Sequence, residues 1–307
     1  MHAIETLSQM SVVDLREELR ARELGDVTAL HYISDRLLLQ TLRQYQFALY
    51  GMDDRKDLFE LTSEVDRADA ESVVAVFASS AVVDNHDGTS TLQTQSLLVA
   101  KNVCPQERFH SQPCGAKATG VLVAPTLIAT AGHVATKSNV TELSFVFGYR
   151  MLDASTPQTV IDNSDIYRGQ QIYQNRVTAT KEDWALVRLD RAAQGRRVAP
   201  IRRTGKIADH QSVHVIGHPL GLPAKFAAGA AVRDNAPESF FVANLDTYGG
   251  NSGSPVFNSS THEVEGILVR GEVDLVKVGQ CRVSLPCPDT GCRGEDCNRT
   301  TEFSSFL

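Results

Sequence analysis

Apolar positions along the chain fall into two regimes. From residue 11 to about 65 they recur at intervals of three and four, as in Val27, Leu30, Ile33, Leu37, Leu38, Leu42 and Tyr45, which is the stripe of an amphipathic helix. Ser11 with Asp14, and Asp26 before Val27, supply start signals, while Gly25 and Gly51 supply stops. Asp53 to Asp57 opens a further short amphipathic piece that fades through Ser63 to Arg67.

After residue 70 the texture changes to short β-branched runs broken by Gly, Pro, Asn and Asp, the mark of antiparallel strands. Runs 73–77, 120–123, 126–128, 143–147 and 185–189 form one group of predicted strands, and runs 213–216, 240–243, 254–257 and 266–269 form a second. Between them lies the polar link from Gln194 to Pro200. The expected organisation is mostly β: a helical N-terminal extension (1–70), a first β unit (71–195), a second (196–280) and a Cys-rich tail (281–307).

The chain has 307 residues, 42% hydrophobic and 22% charged, which excludes a disordered polar chain. Apolar runs such as Val73 to Ala78 fall far short of the ~18 residues a spanning helix needs, so no membrane is expected as a partner. The net charge of −7 offers no basic field for nucleic acid. The first residues lack the basic and apolar regions of a secretory signal, so the expected location is cytoplasmic, with export by another route left open.

Six cysteines stand in two groups, Cys104 with Cys114, and Cys281 with Cys287, Cys292 and Cys297. A disulfide between Cys104 and Cys114, disulfides or a four-thiolate zinc site in the tail, and reduced thiols all stay open; the tail lacks the short Cys-x2-Cys pairs of zinc ribbons. His210, His214 and His218 recur every four residues, but their neighbours Val213, Val215 and Ile216 alternate as in a strand. That pattern predicts no metal site there.

Three short segments carry candidate chemistry: Thr130-Ala131-Gly132-His133, Asp183-Trp184-Ala185-Leu186, and Gly249-Gly250-Asn251-Ser252-Gly253-Ser254-Pro255. Each alone is a modest signal. In the order His, Asp, Ser they resemble the chymotrypsin-like serine peptidases, specifically the bacterial trypsin-like branch that includes the glutamyl endopeptidases. The resemblance spans roughly residues 73 to 280 and implies two six-stranded antiparallel β-barrels with the site between them. It also implies a serine endopeptidase acting on protein or peptide substrates through an acyl-enzyme, without a cofactor.

The residue types suit that chemistry. A serine hydroxyl needs a base within hydrogen-bond reach, and an imidazole can take and return the proton; the resemblance gives these parts to Ser252 and His133. Asp183 would hold the imidazole tautomer. Gly250 and Ser252 would supply the backbone N–H groups that receive the developing oxyanion.

Two departures matter. Digestive relatives have an Asp before the nucleophile that pairs with a newly cut N-terminus, whereas Asn251 stands here, so activity is expected without such insertion. Asp246, six residues before Ser252, occupies the position of the acidic pocket floor of the trypsin branch and predicts cleavage after Arg or Lys. Its simpler role would be to pair with Arg270 or bond the local loop. Leu268 replaces the His of the glutamyl endopeptidases in Gly266-Ile267-Leu268, which argues against Glu preference, and Asp246, Leu268 and Arg270 are the candidate substrate-binding residues. The extension would be an inhibitory segment, a docking site for a regulatory partner or a brace. The competing readings are a catalytically silent binding module with this fold and an esterase.

Overall fold

The structure is a computed structural model that describes residues 53–178, 182–270 and 293–307, together with residues 6–7, 18, 30, 32–34, 37, 49–50, 275–278, 280–284 and 286–287. Much of the helical stripe expected over 11–65 lies outside the described residues, and the amphipathic piece expected from Asp53 to Asp57 is instead a short strand, Lys56–Asp57, followed by a 3-10 turn, Leu58–Glu60.

Two closed antiparallel barrels dominate. A two-residue strand, β1 (Lys56–Asp57), precedes them. The first barrel holds β2 (Val73–Ala78), β3 (Ala118–Ala124), β4 (Leu127–Ala131), β5 (Leu143–Val146), β6 (Ile166–Val177) and β7 (Asp183–Leu189). Its strand order is β5-β6-β7-β4-β3-β2, closed by pairing of β5 with β2. The second holds β8 (Ser212–Gly217), β9 (Lys225–Asp234), β10 (Phe240–Ala243), β11 (Pro255–Asn258), β12 (Val264–Arg270) and β13 (Glu295–Arg299). Its order is β8-β11-β12-β13-β10-β9, closed by β8 with β9, and β1 adds to β9.

Alternation along a strand decides what each barrel does with its two faces. On β2 and β3, Val74, Val76 and Leu122 fill the first barrel with Ile128, Phe145, Tyr167 and Val187. Their neighbours Val73, Val121 and Val123 face outward, where they meet Ile216, Phe257, Val264 and Ile267 of the second barrel. Both faces are therefore buried, which explains why these strands read as continuous apolar runs.

The tail boundary at 281 is corrected by β13, which lies between β12 and β10 as the sixth strand of the second barrel. Its sequence Glu-Asp-Cys-Asn-Arg is polar yet wholly buried. The polar groups are satisfied inside the protein: Asp296 pairs with Arg270 and Arg293, and Arg299 donates to the carbonyls of Asn235, Pro237 and Glu238. Hydrophobic periodicity has no means of detecting such a strand.

The cysteines pair over a long span. Cys104 bonds to Cys281, 177 residues away, while Cys114 and Cys297 are buried thiols. The local Cys104–Cys114 loop is not formed. Cys297 lies in the core of the second barrel, where burial pushes its thiol well above the usual range. The side chains of Cys287 and Cys292 lie outside the described residues.

The end of the extension packs on the second barrel. Asp57 and Gln112 bond the buried Lys225, whose burial lowers it to about 8. Helix α1 (Glu64–Ala70), capped by the Ser63 hydroxyl accepting from Asp66 N–H, follows where the sequence pattern faded. No helix among the described residues is long and apolar enough to cross a membrane.

Candidate active site

His133 follows β4, Asp183 opens β7, and Ser252 sits in the loop before β11. β4 and β7 are paired neighbours, with Trp184 opposite Ala131, so the first two side chains meet by strand register alone. His133 Nδ1 lies 2.6 Å from Asp183 Oδ2, and the backbone N–H of His133 donates to Asp183 Oδ1 at 2.8 Å. On the other side of the ring, Nε2 lies 3.1 Å from Ser252 Oγ. The side chains of His133 and Asp183 are 12% and 6% exposed, enough burial to strengthen the pair while Nε2 keeps access to the cleft. Gly132 is required here, since a Cβ would strike Val177 and crowd the Trp184 carbonyl.

Ser252 belongs to the second barrel and is gripped by the first. Thr119 N–H donates to the Ser252 carbonyl at 3.0 Å, and Thr119 Oγ1 donates to the Gly250 carbonyl at 2.8 Å while accepting from His218 N–H at 3.0 Å. Gly250 has φ +105°, and a Cβ there would run into the His218 carbonyl. Leu220 N–H bonds the Gly249 carbonyl at 2.6 Å. A trans peptide points its N–H opposite to its carbonyl, so this bond also orients the Gly250 N–H. Among the described hydrogen bonds, none uses the N–H of Gly250 or of Ser252.

The turn Gly217 to Gly221 braces the nucleophile loop, its Leu220 N–H bonding the Gly249 carbonyl. His218 is buried, bonds the Leu222 carbonyl through Nδ1 and stacks on Tyr149 at 5.6 Å. Burial lowers its imidazole to about 4, so it stays neutral. His210 lies in a turn and His214 on β8, so the four-residue row does not assemble.

Of the predicted pocket residues, none lines the cleft at Ser252. That cleft, about 620 Å³, is bounded by His133, Ser252, Ser79, Lys117, Asn139 and Glu142. Leu268 is fully buried in the second barrel's core and contributes backbone instead, its carbonyl accepting from Gly253 N–H at 2.7 Å. Arg270 pairs with Asp296 at 3.1 Å. Asp246 is 5% exposed and accepts from Tyr50 N–H at 2.6 Å and Asp54 N–H at 3.3 Å. Burial raises its carboxyl to about 7, with Asp54 and Asp53 adding to the rise against the Tyr50 hydrogen bond. Arg55, 3% exposed, is held by Asp53 at 2.7 Å and stacks 4.3 Å from the Tyr248 ring centroid.

Sequence reasoning missed Thr119 and Asn298. Asn298 Oδ1 accepts from Asp183 N–H at 2.6 Å, linking β13 to the histidine's carboxylate partner. Neither residue carries a local signal, because each acts on a partner more than a hundred positions away.

The family profile described as trypsin-like peptidase domain matches residues 118–267, a span that contains His133, Asp183 and Ser252. The chain carries a trypsin-like peptidase domain. Over that span the chain is similar to the trypsin-like peptidases, as the three motifs implied. No curated protein matches the sequence. Solved structures similar to the chain include human heparin binding protein, at 12% identity and a TM-score of 0.49, covering 78% of this chain and 90% of that one. Another is a Glu endopeptidase in complex with MPD, at 16% identity and 0.46, covering 84% and 97%. A third is the serine endoprotease from Yersinia pestis, at 15% identity and 0.46, covering 81% and 66%.

Proposed function

We propose that this trypsin-like domain hydrolyses peptide bonds through Ser252, with His133 as base and then acid, and Asp183 holding the imidazole. The observation that carries the reading is the continuous path from Asp183 Oδ2 through His133 to Ser252 Oγ, at 2.6 and 3.1 Å. Ser252 Oγ attacks the substrate carbonyl carbon as its proton passes to Nε2, and the negative charge on the carbonyl oxygen falls to the N–H groups of Gly250 and Ser252. The leaving amine departs with the proton from Nε2. Water then repeats the sequence on the acyl-enzyme and releases Ser252. Asn251, whose Oδ1 accepts from Ser254 Oγ at 3.1 Å, fits a nucleophile loop that is organised without a new N-terminal amine.

The preference for Arg or Lys belongs, on this reading, to a form in which Tyr50 and Asp54 have left Asp246. While they cap it, the carboxyl is half-neutral near pH 7 and its oxygens are taken. The deciding experiment is labelling of the folded protein by a fluorophosphonate probe. Labelling that disappears in Ser252→Ala supports the peptidase, and a wild-type protein that stays unlabelled overturns it in favour of a binding module. A peptide library cleaved by the intact chain tests the second point, with no Arg or Lys enrichment expected.

A further inference from the structure

Where α1 meets the second barrel, four metal-ligating side chains converge. Asp66 and Asp69 stand one turn apart on α1, His214 comes from β8, and His262 comes from the turn between β11 and β12. One ligand atom from each lies within 4.8 Å of all the others. Asp69 Oδ2 is 2.6 Å from His262 Nδ1 and 3.3 Å from His214 Nε2. Asp69 and His214 are buried, while His262 keeps a 22% exposed edge through which an ion can enter.

The far side of each buried ligand is already committed. Asp69 Oδ1 faces the Arg197 guanidinium at 3.3 Å, leaving Oδ2 for the two imidazoles. His214 Nδ1 lies 3.2 Å from Ser259 Oγ, and its ring stacks on Phe257 at 5.1 Å with an 8° tilt. Ligating histidines and carboxylates characteristically have such outer partners, which fix the tautomer and the ring direction. Among the described residues, no hydrogen bond or ion pair engages the Asp66 carboxylate, so it is free to complete a set of two nitrogens and two oxygens.

We propose that Asp66, Asp69, His214 and His262 bind a divalent transition-metal ion, zinc by preference, that ties the extension to the second barrel. Bonds of ~2.0–2.2 Å in a tetrahedral site place ligand atoms ~3.4 Å apart. The Asp69–His214 pair already has that separation, and the Asp69–His262 pair reaches it by a swing of the half-buried ring. Two imidazoles disfavour calcium or magnesium, which take oxygen ligands. None of the four residues lines the cleft at Ser252, so the ion would act as a clasp and take no part in the chemistry.

The test is zinc binding to the full chain after removal of adventitious metal, followed by calorimetry and by metal content per chain, with cobalt as a spectroscopic stand-in. One zinc per chain is expected, with tetrahedral cobalt bands and a Tm that rises with zinc. Asp66→Asn and His262→Gln should each weaken binding by about 10-fold or more. Asp66→Asn alters a side chain with no bond among the described residues, so a variant that keeps the wild-type Tm without zinc and still loses binding has lost the ligand and not the fold. A wild-type chain that takes up no zinc overturns the proposal and leaves a hydrogen-bonded Asp–His network. Zinc uptake unaffected by both substitutions overturns it equally, by locating the ion elsewhere.

Discussion

Asp183 and Asp246 are both nearly buried aspartates singled out by their place in a sequence motif, and the fold treats them in opposite ways. Asp183 stands on a barrel strand whose neighbour carries His133, so its two oxygens are filled by the imidazole and the His133 N–H. Asp246 has its oxygens filled by backbone N–H groups of residues 50 and 54, more than 190 positions earlier. A carboxylate's chemistry follows from what reaches it. For Asp183 that was set by strand register, and for Asp246 by a segment that the motif does not include.

The sharpest break of this contrast would come at the nucleophile. Ser252→Ala should abolish peptide hydrolysis, a fall on the order of 10⁶ in kcat where a serine triad acts as a unit. Substantial residual turnover in that variant, measured with a peptide substrate, would detach the Asp183 path from catalysis. Next in size is Gly250→Ala, which places a methyl group against the His218 carbonyl at φ +105°. It should cost about 10²–10³ in kcat with little change in KM, by displacing one oxyanion donor. Thr119→Val removes a hydroxyl that links the Gly250 carbonyl to His218 N–H, and about tenfold lower kcat is expected. Thr119→Ser should recover most of it.

The smallest effect on turnover is expected at Asp246. Its folded-state value near 7 lies above the ordinary carboxylate value of 3.8, so the native protein holds a proton that the unfolded chain has released between about pH 4 and pH 7. Stability should therefore fall as pH rises through that window. Asp246→Asn keeps an acceptor for Tyr50 and should flatten this part of the curve, as read by urea denaturation at several pH values. A variant with the same pH dependence as wild type would mean that Asp246 is not capped in solution.

Much of the fold was legible because buried strands advertise themselves. Val73 to Phe77 and Phe240 to Ala243 are apolar on both faces, and the expected strands match β2 and β10 almost residue for residue. β6 escaped notice because its outer half is exposed and polar, β9 because it is rich in Ala and Gly, and β13 because its polar side chains are buried against polar partners. The three motifs were visible because Gly, His and Ser at fixed local spacing are what a tight loop and a proton relay require. Leu268, expected in the pocket, faces the second barrel's core and Arg270 pairs with Asp296, because sequence spacing cannot tell a side chain facing the cleft from one facing a core or an ion pair.

By itself, the sequence determined the local parts: which runs become buried strands, and which loop can hold a nucleophile at a glycine-only backbone angle. The tertiary structure decided what lies opposite each part. Thr119 against the Ser252 loop, Asn298 against Asp183, Cys104 against Cys281 and Tyr50 and Asp54 against Asp246 are all pairings across more than a hundred positions. Side-chain period and local spacing carry no information over such separations. Those partners are selected by barrel closure and by the need to satisfy buried polar groups, which only the whole packed chain can meet.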